Sequence, residues 1–409
     1  MEVVAVNVID TLLVSMFALF IGHQITRRVA FLRRYSIPQA VTGGLVISLG
    51  VFAVVVAGGP ALTFDLQLRD ILLLTFFSTV GLSAKFSRLA SGGKPLVLLT
   101  LLAGTFLILQ NSTGVLMAFL LNAPHPGYGL FAGSVSLAGG HGTAIAWAEE
   151  VAASGLTDAA TLGIAFATFG LIAGGMIGGP LAEFLIKRNT LSSSDETGDK
   201  PMMAESAVRS TDGAMDSRRI FTNLNTLALC ISLGEIVNRL FIDVGIKFPG
   251  FLTAMLVGIL FTNGASILKV EIRQSDFDRV GEIALQLFLS MSLMSMDLNS
   301  LTSTLGPVLI ALFVQVVVIT VFSTFLVFHI MGRTYDAAVI CAGFAGLGLG
   351  ATPVAIANMN AVTTKYGPSF KAFLVVPLVG AFFVDLMNAI VIKFFFSLPF
   401  IQNAPIPGA

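Results

Sequence analysis

Apolar stretches of about 20 residues, the length that crosses a bilayer as a helix, recur along the chain. They lie near 6–25, 38–58, 69–87, 95–121 and 159–186, and again near 220–241, 248–264, 281–300, 304–331 and 372–396. Each predicts a membrane-spanning helix. Two further apolar stretches, 127–157 and 335–360, are rich in glycine. In the second, Gly343, Gly346, Gly348 and Gly350 make a poor helix interior, because each costs roughly 1 kcal/mol against alanine. Thr352-Pro353 follows and reads as an N-cap with proline at the first helical position. The pattern predicts a half-helix, a break and a second half-helix. Broken backbone at membrane depth survives only where protein buries it or a polar cavity satisfies it.

The two sets of spans repeat each other. Ile37-Pro38 recurs as Phe248-Pro249, and the run from Asp70 to Leu82 recurs from Glu282 to Met294. Ala132-Gly133 recurs as Ala342-Gly343, and Gly170 answers Gly380, so the offset stays between 210 and 212. The polar stretch 189–219 between the sets has linker composition. Positive charge in the loops decides how the halves are oriented. Re-entrant Gly-rich hairpins leave five spans per half, an odd number, which inverts the second half. With the N-terminus outside, 19 of the 23 basic residues then face the cytoplasm, leaving Arg69, Arg239, Lys247 and Lys393 outside. Full crossings by the Gly-rich stretches would split them almost evenly. About 30 residues in 127–157 give two half-helices of roughly 15–18 Å each. The expected fold is an all-α polytopic membrane protein. Residues 1–188 form a first repeat, 189–219 a cytoplasmic linker and 220–409 an inverted second repeat. Both termini lie outside, and the two hairpin tips meet near the midplane.

Composition supports this: 55% of residues are hydrophobic and 11% charged, against about 25% charged in soluble proteins. The balance of 23 basic and 23 acidic residues gives no reason to expect nucleic acid. Cys230 and Cys341 lie in apolar runs and read as small core residues. Met1-Glu2 lacks the basic start of a signal peptide, so the first run reads as a true span.

Inverted repeats with discontinuous helices at mid-membrane point to the substrate site of a secondary transporter. The first tip carries Ser134, Ser136, Gly139, Gly140, His141, Gly142 and Thr143; the second carries Gly348, Gly350 and Thr352. These are the candidate substrate contacts, since free N–H groups at a helix N-terminus suit a carboxylate. The competing reading is close helix packing at the glycines and local helix bonds for Ser and Thr. For Gly170, Gly174, Gly175, Gly178 and Gly179, close packing is the favoured reading. Asp385, inside the last span, neutralises a sodium ion or a substrate ammonium, or else makes a structural hydrogen bond to the neighbouring broken helix. Gly346, Asn358 and Asn388 join it as candidate sodium ligands. No arginine or lysine falls mid-span, so a bound anion needs N–H groups, hydroxyls, His141 and co-bound cations. His141 reads equally well as a donor to a backbone carbonyl. Phe76, Phe77, Phe288 and Leu289 occupy equivalent span centres, with core packing favoured over a place on the pathway.

Three stretches carry a family resemblance: Ser136-Leu-Ala-Gly-Gly-His-Gly-Thr143, the run from Gly346 to Met359, and the run from Phe373 to Asp385. The chain resembles the bacterial sodium/glutamate symporters over nearly its whole length, the linker and termini excepted. The resemblance implies sodium-driven glutamate import across the inner membrane, no cofactor beyond the coupling ion, a homodimer and an elevator-type motion. The alternatives are a sodium- or proton-coupled symporter of another small carboxylate such as citrate, or an intramembrane enzyme. The enzyme reading lacks an H-E-x-x-H site, and the four histidines are scattered.

Overall fold

The computed structural model describes residues 3–34, 37–85, 89–152, 156, 158–193, 217–243, 248–268, 274–296 and 299–402. For residues 89–92, 217–219, 274–275, 299–305 and 382, only the backbone is described. Most of the expected linker (194–216) and residues 153–155 and 157 of the first Gly-rich stretch lie outside these segments.

In the first half of the chain the main helices are α1 (Val8–Arg28), the short α2 (Ala30–Arg34), α3 (Gln39–Val56), α4 (Gln67–Ser83), α5 (Leu89–Leu120), α6 (Tyr128–Phe131), α7 (Gly140–Ala152) and α8 (Ala159–Arg188). In the second half they are α9 (Ser217–Asp243), α10 (Gly250–Ile267), α11 (Gln274–Met294), α12 (Asn299–Phe322), α13 (Phe328–Ile330), α14 (Tyr335–Leu349), α15 (Thr352–Tyr366), α16 (Phe370–Leu378), α17 (Asp385–Phe396) and α18 (Pro399–Gln402). Local chemistry sets many of the ends. Asn7 caps α1 by accepting the Asp10 N–H at 2.9 Å. Pro38 and Pro249 precede α3 and α10 at the two matching places. Lys187 and Arg188 close α8, where cations complement the helix dipole.

Among the described residues, seven helices are long and apolar enough to cross a membrane, and an eighth arises if α16 and α17, bent by 47°, count as one span. Two of the ten expected spans are less clear. Helix α4 has 17 residues, and α11 carries Asp276, Asp278, Arg279 and Glu282 on its outer turns. The expectation of an all-α fold needs a correction: Val3–Val6 pairs in parallel with Ala61–Phe64. Both segments are β-branched or apolar and sit outside the helices, where extended backbone can pair.

The helices sort into two bundles. Helices α1, α3 and α4 pack with α9, α10 and α11. Helices α5 to α8 pack with α12 and α14 to α17. Each bundle thus takes the matching pieces of both chain halves. The seam between them is apolar, with Trp147 edge-on to Phe251 at 5.8 Å, and Phe251 backed within its own bundle by Phe77 at 4.6 Å. In a bilayer, such contacts are held by van der Waals packing and by hydrogen bonds between helices. An ion pair crosses the seam: Arg69 on α4 meets Glu149 on α7 at 2.9 Å, with Asp70 also on Arg69 at 2.7 Å.

Among the glycines read as packing sites, Gly170 and Gly178 press on the second hairpin. A Cβ at Gly170 would lie 2.5 Å from the Leu349 oxygen, and one at Gly178 only 2.2 Å from Asn358 Nδ2. Gly179 corrects that expectation, because nothing lies within 4 Å of its Cβ position. It faces away from the hairpin one residue round the helix.

Candidate functional site

The two Gly-rich stretches fold differently. In the second, α14 ends at Leu349, Gly350-Ala351 makes the break and α15 starts at Thr352. The arms fold back on each other so closely that a Cβ at Gly346 would lie 2.5 Å from the Ala355 nitrogen. The N-cap of α15 is Ala351, in extended conformation, and Thr352 is already helical with no side-chain cap bond. The expectation of Thr352 as cap therefore shifts by one residue. Proline has no N–H to cap, so the start depends less on a capping hydroxyl. In the first stretch the expected leading half-helix is absent. Helix α6 spans Tyr128–Phe131 only, and residues 132–139 run as successive turns into α7. Gly133, Gly139 and two serines lower helix propensity there. Side chains from other helices also hold this segment. Asn111 Oδ1 accepts the Ser134 N–H at 2.8 Å, and Asn388 donates to the Ser134 carbonyl at 3.0 Å.

The tips meet. Gly140 adopts φ +71°, a left-handed conformation suited to glycine. Its Cβ position would lie 3.9 Å from the Gly350 carbonyl oxygen. Between the tips opens a cavity of about 330 Å³, within the range of small-ligand sites. Gly139 to Thr143 and Gly350 to Pro353 form two of its walls. Phe76, Phe77, Leu285 and Leu289 from the other bundle form the third, so of the equivalent span centres Phe76, Phe77 and Leu289 line the space, while Phe288 is fully buried in the core. Gly380, Val384 and Asp385 complete it.

The N-terminal ends of α7 and α15 both reach this cavity. The N–H groups of His141 and Gly142, and of Thr352 and Val354, have no carbonyl one turn behind them in their own helices. Gly139 and Gly140 N–H groups are instead taken by the Ser134 and Ser136 carbonyls. Among the described residues, Asp385 is the one carboxylate on the wall, and no lysine or arginine joins it. A π-helical turn, Val379–Val384, delivers Asp385 to that place. Pro377 lacks the N–H that a regular turn would use, and bulges of this kind gather at functional sites. His141 Nε2 lies 2.9 Å from Thr168 Oγ1, which itself donates to the Ile164 carbonyl at 2.9 Å. The imidazole therefore donates from Nε2, which leaves Nδ1 as the acceptor of the neutral ring.

Not every candidate reaches the cavity. Gly139, Gly140, His141, Gly142, Thr143, Gly350, Thr352 and Asp385 line it. Ser134 and Ser136 are fully buried behind the first tip, with hydroxyls lacking a partner among the described residues. Gly348 gives its carbonyl to Gln110 at 2.7 Å, and Gly346 sits between the hairpin arms. Asn358 donates to the Gly174 carbonyl at 2.9 Å and to that of Ala342 at 3.2 Å, tying α15 to α8 and α14. Asn388 is buried one turn beyond Asp385, holding Ser134. Sequence reading did not single out Gln110, Asn111 or Gln315. Their signal was an uncharged amide in the middle of a long apolar run, which is costly in a membrane without partners.

The arrangement can hold a small anion against two helix N-termini while a carboxylate offers charge to a cation. A family model described as sodium/glutamate symporter matches residues 4–368. The sodium/glutamate symporter of Escherichia coli (strain K12) is 38% identical over 395 residues, covering 96% of this chain and 98% of that protein. The sodium/glutamate symporter of Haemophilus influenzae (strain ATCC 51907 / DSM 11121 / KW20 / Rd) is 38% identical over 392 residues, covering 95% and 97%. With the family model and these full-length relatives in agreement, the chain belongs to the sodium/glutamate symporter family, whose members are transporters and not enzymes.

Proposed function

We propose that this chain imports L-glutamate together with sodium across the bacterial inner membrane by alternating access. The observation that carries the reading is the cavity between the tips, with two helix N-termini and Asp385 on its wall. Backbone N–H groups receive the substrate's carboxylates. Asp385 carries the charge that draws a sodium ion, or the substrate's ammonium, into the same space. Gly346, Asn358 and Asn388 support the sodium position from behind the wall. Sodium binds first and organises the second tip, and loading cancels charge that would oppose movement through the bilayer.

The layout follows from the same reading. Each half contributes five spans and one re-entrant hairpin, the halves are inverted, the linker is cytoplasmic and both termini are periplasmic. Two chains form a homodimer. The bundle that carries both tips slides past the other in an elevator motion. The division of helices into two bundles and the apolar seam between them support this. The Arg69–Glu149 pair, which is mostly buried at the seam, has to part during that motion, so each charge needs water or a new partner as the bundles slide.

The test is radiolabelled L-glutamate uptake into proteoliposomes under an inward sodium gradient, with choline replacing sodium as control. Sodium-dependent accumulation, competed by excess glutamate and not by citrate, is the expected result. Competition by citrate alone would move the reading to another small carboxylate. No uptake from folded protein would reject glutamate.

A further inference from the structure

Gln110 and Gln315 lie in the middle of long apolar helices and are fully buried. Gln110 on α5, from the first half of the chain, donates its Nε2 to the Gly348 carbonyl of the second hairpin at 2.7 Å. Gln315 on α12, from the second half, donates its Nε2 to the Ala132 carbonyl of the first hairpin at 2.9 Å. The same nitrogen donates to the Gln110 backbone carbonyl at 2.9 Å. Each glutamine thus holds the hairpin of the other half, and the second bond joins the two glutamines. The result is one chain of hydrogen bonds from Ala132 through Gln315 and Gln110 to Gly348.

The orientation of each amide is fixed by chemistry. Flipping either one would face its carbonyl oxygen to a backbone carbonyl, so Nε2 must be the donor in each contact. The cost of this arrangement is visible: Gln110 Oε1 and Gln315 Oε1 are buried with no partner among the described residues. Simple stapling of apolar helices would not need a polar group that leaves an acceptor unmet. What the two amides accomplish is a connection between segments that no regular helix bonding joins. Ala132 lies in the turn segment of the first hairpin, and Gly348 lies two residues before the break of the second. Asn111, next to Gln110, extends the same belt to Ser134.

We propose that Gln110 and Gln315 are positioning residues that lock the two hairpins into one unit, so that occupancy at one tip sets the geometry of the other. Neither side chain touches the cavity, and both act through the hairpins. The inference rests on the transport reading for its consequence, because locked tips are what would let sodium at one tip raise affinity for glutamate at both. Its geometric core is independent of substrate.

Gln315→Met, which keeps length and burial and removes the donor, separates these points. The first readout is hydrogen–deuterium exchange of purified protein, which needs no transport. Faster exchange is expected in peptides covering 345–352 as well as 128–136, although the Gln315 amide hydrogen-bonds to Ala132 of the first hairpin and to Gln110. Gln110→Met breaks the link to Gly348 and should likewise loosen 128–136 as well as 345–352, although Gln110 bonds only the second hairpin directly. Change confined to 128–136 in Gln315→Met would overturn the proposal. Gln315→Leu replaces it if the methionine variant does not fold. The second readout is the uptake assay with wild type alongside. Each single variant should raise the half-saturating glutamate and sodium concentrations about tenfold, the worth of one buried hydrogen bond. The double variant should be no worse than the poorer single, because the links are in series. Lower yield with unchanged half-saturation would assign a structural role only. Wild type that takes up no glutamate would reject the substrate reading, and the exchange result would still decide the coupling of the hairpins.

Discussion

Asp385→Asn is expected to raise the sodium concentration for half-maximal glutamate uptake about 100-fold. Asparagine keeps the size and an oxygen ligand and removes the charge. The carboxylate makes no hydrogen bond or ion pair among the described residues, and it sits on the cavity wall with no basic side chain beside it. Its charge is therefore uncompensated until a cation arrives. A charge-assisted interaction contributes about 1.5–3 kcal/mol, and about 1.4 kcal/mol corresponds to tenfold in affinity. Folding should be little affected, because no protein partner is lost. The measurement is initial uptake rate against sodium concentration at saturating glutamate. An unchanged sodium dependence would remove Asp385 from its assigned role. A raised glutamate requirement at unchanged sodium dependence would instead give the carboxylate to the substrate's ammonium.

Gly140→Val should reduce uptake to below about a tenth of wild type. Two effects add at this position. The φ of +71° lies in the left-handed region, which costs an L-residue roughly 1–2 kcal/mol and a β-branched one more. The Cβ position is 3.9 Å from the Gly350 oxygen, so valine methyls would push the tips apart and displace the N–H groups of His141 and Gly142. Gly179→Ala is the matched control. Its Cβ position meets nothing within 4 Å, and surface substitutions of that kind stay within about 0.5 kcal/mol. Uptake by both variants in proteoliposomes, at matched amounts of folded protein, checks the pair. Near-normal uptake by Gly140→Val would mean that the tip contact is dispensable.

The helices and the second hairpin were legible in the sequence because their signals are dense. Gly-Leu-Gly-Leu-Gly-Ala-Thr-Pro, from Gly346, combines helix breakers with a helix start, and the structure breaks at Gly350-Ala351. The first hairpin was less legible. Its glycines predict a break but do not say where one arm stops being helical, since side chains of Asn111 and Asn388, distant in sequence, hold Ser134. The strand pair was missed because four residues at each site give no period to read. Of the candidate residues, Gly139 to Thr143, Gly350, Thr352 and Asp385 reach one cavity. Asn358 does not, because a buried amide in a half-helix reads the same whether it meets an ion or two carbonyls. Gln110 and Gln315 were overlooked for a related reason. A glutamine in an apolar run announces that some polar partner exists, and only packing tells which backbone supplies it.

The cavity between the tips is tested most directly by protection of an introduced thiol. Leu285 lines the cavity from the opposite bundle, while the native Cys230 and Cys341 are buried. Leu285→Cys, with wild type as background, is labelled by a small thiol reagent in detergent. Sodium and L-glutamate together should slow labelling about tenfold, and choline with glutamate should leave it nearly unchanged. Equal labelling rates with and without both ligands, in protein that transports, would place the substrate elsewhere and contradict the account.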